Sequence, residues 1–184
     1  MSVFLSFIAF IVVQRLVELK VASQNEKWMK AKGGIEFGQK HYYLMVGIHT
    51  LFFLSYLFEV IYFQKNISTF WQILLGLFIF TQLGRAWALM SLGRFWNTKI
   101  IVLPNAKVVM KGPYRFMKHP NYVVVTLEFL IIPLFYQAYL TAIVFSLLNL
   151  WILSIRIPIE ERALRELTSY NQSFEPSRRF FSKI

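Results

Sequence analysis

The chain has 184 residues, 57% of them hydrophobic and 18% aromatic, a formal net charge of +11 and no cysteine. Its apolar runs reach or approach the roughly 20 residues that cross hydrocarbon, which places it among membrane proteins, and the lack of thiols excludes disulfides, zinc-thiolate sites and a cysteine nucleophile. The positive residues lie between apolar spans, not on a polar domain, so their expected partners are membrane lipids and no nucleic acid.

Met1 and Ser2 lead directly into the first apolar stretch, residues 3–19. It has no basic leader and no small-residue cleavage pattern, so the span reads as uncleaved. Late in it, Arg15 and Glu18 are spaced to pair on one helix face. Residues 20–40 mix Lys20, Lys27, Lys30, Lys32 and Lys40 with Trp28, Met29, Ile35 and Phe37, which predicts a segment lying on headgroups. Gly33-Gly34 marks a turn within it.

The second span, 42–63, carries His49 and Glu59, and the third, 67–92, carries Arg85. An ionisable group inside a span is expensive, so it tends to be paired or functional. Glu59 and Glu128 are both candidate partners for Arg85. His49, alone on an apolar helix, reads as a helix-to-helix hydrogen-bond donor. No metal site is expected, because His41, His49 and His119 lack ligand spacing.

The region 122–155 is too long for one span. Pro133 and the stretch Tyr136-Gln137-Ala138-Tyr139 predict a tight helical hairpin with arms at 122–136 and 139–156. Basic residues concentrate in 20–40, in the loop 94–121 and in the tail, where Arg156, Arg162, Arg165, Arg178, Arg179 and Lys183 lie. With five spans all three basic segments fall on one side, as cytoplasmic loops require; with four they do not. The expectation is therefore an all-α, polytopic membrane helical bundle of five transmembrane helices in one domain, 1–184, with the N-terminus outside and the C-terminus cytosolic. Pro158 is expected to break or kink the last span. Ile159, Ala163, Leu167, Tyr170 and Phe174 then recur as in a cytosolic amphipathic helix within 158–184.

Two stretches can carry chemistry. From Lys111 to Tyr122, Gly112-Pro113 and His119-Pro120-Asn121 are turn residues. They fold a basic loop in which Tyr114, His119 and Tyr122 offer stacking surfaces beside Arg115 and Lys118. Such a loop suits an anionic or zwitterionic ligand with an aromatic base, or else a turn that binds anionic lipid. The second stretch is Arg156-Ile157-Pro158-Ile159-Glu160-Glu161, where Arg156 and Glu160 share a face if the helix only kinks. A guanidinium there orients an acidic oxygen, and a carboxylate pairs with a sulfonium or acts as a base. The plainer reading is a juxtamembrane anchor followed by acidic residues at a helix start.

Taken together, Gly112, Tyr114, His119-Pro120-Asn121-Tyr122 and, beyond the hairpin, Arg156 with Glu160-Glu161 resemble the isoprenylcysteine carboxyl methyltransferase family over about the C-terminal half of the chain. The resemblance implies an enzyme that binds S-adenosyl-L-methionine at the cytosolic face and methylates a lipophilic substrate from the bilayer. It nominates Val108, Val109, Tyr114, His119, Pro120, Asn121, Tyr122 and Glu160 as cofactor-binding residues. Arg156 is implied on the substrate side; Arg85, as an ionisable group inside a span, is expected as a further substrate contact. Glu160 and Glu161 complete the catalytic set, Glu161 as a support or as a base for a hydroxyl substrate. Lys118 stands where the family usually has arginine, Val124 where a glycine often follows the loop, and the tail after Glu161 is short. The chain has no aspartate and lacks the glycine-rich strand-turn-helix of soluble methyltransferases.

The expected activity is that of an S-adenosylmethionine-dependent O-methyltransferase. The short chain looks like prokaryotic members, which points to a long-chain polyketide lipid such as an alkylpyrone as acceptor. The alternative is carboxyl methylation of a prenylated cysteine-like substrate. A reading from another class is a small membrane transporter or lipid-binding scaffold, in which Glu59, Arg85 and Glu128 line a pathway.

Overall fold

In the computed structural model, residues 1–170 are described. Five α-helices carry the fold: α1 (Ser2–Ala31), α2 (Gln39–Tyr62), α3 (Trp71–Leu92), α4 (Pro120–Leu134) and α5 (Tyr139–Leu167). Four of them, α1, α2, α3 and α5, are long and apolar enough to cross a membrane, which makes this a multi-pass membrane protein. The remaining expected span, α4, has 15 residues. At the α-helical rise it is about 22 Å long, less than a typical hydrocarbon core.

The sequence patterns explain what faces where. Phe4, Ile8 and Ile11 recur at helical spacing and are buried, whereas Phe10, Val13, Leu16 and Val17 on the other side of α1 are exposed. In a soluble protein that outward apolar surface would be a liability; here it meets lipid. Inside, aromatic rings interlock: Phe4 meets Tyr136 at 4.7 Å and Phe52 meets Phe129 at 4.7 Å between centroids. α5 is anchored beside this cluster by Glu59 of α2. Its carboxylate accepts from the backbone N–H and the hydroxyl of Thr141, each at 2.7 Å, and from the Leu140 N–H at 3.2 Å. Those donors belong to the first turn of a helix, which has no partners within the helix itself. Glu59 is thus explained as a helix cap and is not the partner of Arg85.

Three expectations are corrected. The segment 20–40 is not one surface-lying piece: α1 continues to Ala31, then turns at Gly33, where φ is +86°. The chain next forms a strand, β1 (Ile35–Phe37), antiparallel to β2 (Ile100–Val102), with Glu36 opposite Ile101. The fold is therefore helical with a two-stranded addition. Ion pairs of Lys30 and Lys99 with Glu26 and Glu36 tie the strands to the end of α1. Of the two outcomes expected at Pro158, a break is excluded, because α5 runs from Tyr139 to Leu167 through it. The segment expected as a separate helix after Pro158 belongs to α5 up to Leu167, and Phe174 and the basic residues Arg178, Arg179 and Lys183 lie outside the described residues.

The long connection between α3 and α4 starts at Gly93 and includes β2 and a 3-10 turn, Gly112–Arg115. Gly112, at φ +54°, presses on the end of α3; a Cβ there would meet Ser91 Oγ at 2.0 Å. This contact docks the loop against the bundle and delivers Pro120 to the first turn of α4.

Candidate active site

α4 begins at Pro120, whose fixed φ and missing N–H suit a first helical turn. His119 stacks on Tyr122 with ring centroids 5.3 Å apart and planes at 22°. Tyr122 donates from its hydroxyl to Glu160 at 2.5 Å, joining the start of α4 to the far part of α5. The neighbouring Glu161 accepts from His119 Nε2 at 3.2 Å, from Lys118 at 3.4 Å and from Arg165 at 2.6 Å. Glu161 lies past the apolar stretch of α5, and the His119 hydrogen bond, with Lys118 beside it, holds its carboxyl down to about 2. Burial, reinforced by the Glu160 carboxylate, pushes the Tyr114 phenol up, so it stays protonated.

Arg156 is buried, and its Nη2 donates to the Thr98 carbonyl at 2.9 Å. Continuity of α5 through Pro158 keeps Arg156 and Glu160 on the same side, as the unbroken-helix alternative required. Both line a cavity of about 320 Å³ together with Asn121 and Tyr122. Arg156 Nε, Asn121 Oδ1 and Trp96 Nε1 are buried without hydrogen-bond partners among the described residues. Orphaned buried polar atoms are rare and costly. Here, three of them belong to residues that line the same cavity.

Away from this polar end the cavity becomes apolar between Met45, Phe52, Phe129, Ile132 and Ile152. Leu16 and Leu19 of α1 and Val46 and Thr50 of α2 line it and are also exposed, so it reaches the lipid-facing surface between α1 and α2. Its side wall carries charge. Arg85 pairs with Glu128 through Nη2, and donates to Glu18 at 3.0 Å. Arg15 pairs with Glu18 at 2.7 Å and with Glu128 at 2.5 Å. Gln82 donates to Glu128 at 2.7 Å, and Gln14 bridges Glu18 and Gln82.

The sequence-nominated residues thus divide into two groups. Asn121, Tyr122, Arg156, Glu160 and Arg85 line the cavity. Val108, Val109, Tyr114, His119, Pro120 and Glu161 do not; of these, His119 stacks on Tyr122 and bonds Glu161, and Val108, Val109 and Tyr114 belong to the connecting loop. Arg85 has Glu128 as its partner, one of the two candidates. His49 is not an interhelical donor: its Nδ1 bonds the Met45 carbonyl of its own helix at 2.9 Å. Missed altogether were Trp96 and the 97–99 segment, which lead into β2 and are tied to α1 by Asn25 donating to the Trp96 carbonyl and Asn97 donating to the Ala22 carbonyl. A three-residue strand between two helices leaves no periodicity to read.

These features define a class: a multi-pass helical membrane protein whose buried cationic residue sits at the polar end of an apolar cavity open toward lipid. Residues 74–166 match the isoprenylcysteine carboxyl methyltransferase (ICMT) family. A Bacillus subtilis protein, described as uncharacterized protein YpbQ, is 50% identical over 159 residues, 86% of this chain and 95% of that one. An uncharacterized Haemophilus influenzae protein is 30% identical over 160 residues, covering 86% of this chain and 93% of that protein. No solved structure matches. The chain belongs to the ICMT family, and membership makes it an S-adenosylmethionine-dependent methyltransferase acting at the membrane. The residues present suit that cofactor: carboxylates for a cationic sulfonium centre, a His119–Tyr122 stack, and the unpartnered Asn121 Oδ1.

Proposed function

We propose that the chain methylates the acidic oxygen of a lipophilic acceptor, and that Arg156 holds that oxygen. S-adenosylmethionine supplies an electrophilic methyl group on a sulfonium sulfur. In this reading His119, Pro120, Asn121, Tyr122 and Glu160 hold it on the cytosolic side, with Val108, Val109 and Tyr114 closing the loop around it. The acceptor's apolar tail enters from the bilayer between α1 and α2. The observation that carries the reading is Arg156: a buried guanidinium with an unused Nε, where an apolar cavity turns polar. An anionic oxygen supplies the missing hydrogen bond and the missing charge. Alignment of the reacting atoms and exclusion of water then do the catalytic work.

The family description favours a carboxylate, as on a prenylated cysteine-like lipid, and carboxyl methylation is the leading reading. A carboxylate is already ionised, so no base is needed. A second reading has one observation on its side: Glu160 lines the same end of the cavity as Arg156. It is a base within the site for an acceptor that must lose a proton, such as the ring hydroxyl of a long-chain polyketide lipid of the alkylpyrone type.

The test is calorimetry with S-adenosylhomocysteine on purified protein, followed by turnover with labelled S-adenosylmethionine and lipid extract. Arg156→Ala should retain S-adenosylhomocysteine binding and lose turnover. Loss of that binding in Arg156→Ala contradicts the substrate-side role.

A further inference from the structure

His49 lines the cavity from α2, well away from Arg156 in the fold and unused in the methyl-transfer reading. Its Nδ1 lies 2.9 Å from the Met45 carbonyl. A carbonyl only accepts, so Nδ1 carries the proton, and in the neutral imidazole Nε2 is then an acceptor. No residue among those described donates to Nε2. The ring stands edge-on to Phe129 with centroids 5.0 Å apart, which puts it level with that residue of α4. From Tyr122 to Phe129, α4 advances by about 10 Å, so His49 lies about that far into the bundle from the polar end of the cavity.

At this depth the side wall is the Arg15, Glu18, Arg85 and Glu128 network, whose charges satisfy one another. Beyond it the cavity is apolar around Phe52 and Ile132, and toward Arg156 it turns polar again. A polar belt therefore crosses the cavity, and Nε2 is its open acceptor. An anion placed here meets Glu18 and Glu128, whose guanidinium partners are already engaged. A cation meets Arg15 and Arg85. A neutral hydroxyl donates to Nε2 and incurs neither repulsion. Arg15, Glu18 and His49 also lie outside the residues 74–166 that match the family, in the part of the chain that the shared match does not cover.

We propose that His49 selects the acceptor: its Nε2 takes a hydrogen bond from a hydroxyl carried on the lipid chain about 10 Å from the methyl-receiving oxygen. The substrate class is a long-chain acid hydroxylated near mid-chain, as opposed to an unsubstituted hydrocarbon or isoprenoid tail. A site built to bond a hydroxyl rejects the analogue that lacks one, because the protein group is left unpaired. The proposal rests on the methyl-transfer reading, which sets the acidic head at Arg156.

The test uses the full chain in lipid nanodiscs, loaded with S-adenosylhomocysteine. Three hexadecanoic acids are titrated: unsubstituted, hydroxylated beside the carboxyl, and hydroxylated at mid-chain. The mid-chain hydroxy acid is expected to bind about 10-fold tighter than the other two. In His49→Leu that preference disappears, while S-adenosylhomocysteine affinity is kept; His49→Gln, which retains an acceptor oxygen, keeps part of the preference. Equal binding of the three acids to the native protein, or a preference that survives in His49→Leu, overturns this proposal alone. If His49→Leu does not fold, the ranking of the acids on the native protein decides. Failure of all three to bind overturns the acid-acceptor reading of the site and this proposal with it.

Discussion

Two polar clusters share one cavity, and they are built on opposite principles. The belt of Arg15, Glu18, Arg85 and Glu128 is closed: two cations, two anions and two glutamines bond one another across α1, α3 and α4. The end formed by Tyr122, Arg156 and Glu160 is open, with Arg156 Nε and Asn121 Oδ1 unpartnered. A closed network holds helices in register, whereas an open one is organised for something that the protein does not itself supply. Charge inside a membrane protein is thus not one signal: what matters is whether each group already has its partner.

Mutation separates the two clusters. The largest effect is expected at the belt, where Arg85→Ala leaves the Glu128 and Glu18 carboxylates short of a partner and should cost about 3–5 kcal/mol of stability. Thermal unfolding in detergent measures it; an unchanged midpoint would mean that the network is ornamental. At the open end, Arg156→Ala should lower kcat by about 100-fold or more with a smaller loss of stability than Arg85→Ala, since the bundle loses only the hydrogen bond to the Thr98 carbonyl. A parallel loss of stability would put Arg156 in the closed class.

Tyr122→Phe is a smaller change. It frees Glu160 from its short hydrogen bond and is expected to weaken S-adenosylhomocysteine binding about 10-fold, as a lost bond to a charged group does. Unaltered affinity by calorimetry would remove Tyr122 and Glu160 from the cofactor side. The smallest effect concerns Glu161. Its carboxyl sits at about 2 in the fold against an ordinary 4.5, so its stabilising contribution is complete above 4.5 and fades as pH falls through about 2. Glu161→Gln should therefore unfold at a lower temperature than the native protein near neutral pH, with the gap closing as the pH is lowered through that window. A gap that is constant with pH would show that the ionised carboxylate is not what matters.

The helices were legible because lipid imposes long apolar runs, and the His119 and Arg156 stretches because turn residues and charge stand out between such runs. The Arg15–Glu18 pair was legible from spacing alone. What was not legible came from groups far apart in sequence. Glu128 and Glu59 looked equivalent as partners of Arg85, and only packing showed that Glu59 caps α5. Pro158 read as a break or a kink, and the helix continues through it. Local propensity names the weak point in a helix, but the contacts of Arg156 with Thr98 and of Glu160 with Tyr122, on either side of the proline, accompany its continuation. The β1–β2 pair was invisible for the same reason, since its register depends on two segments joined only in the fold.

The central claim is that the open cluster transfers methyl groups to a membrane lipid. Its most direct test is mass spectrometry of membrane lipid extract incubated with isotope-labelled S-adenosylmethionine and the purified protein. A labelled, methylated acidic lipid is expected with the native protein and none with Arg156→Ala. A native protein that binds S-adenosylhomocysteine but labels no lipid, or an Arg156→Ala variant that labels as well as the native protein, would contradict it.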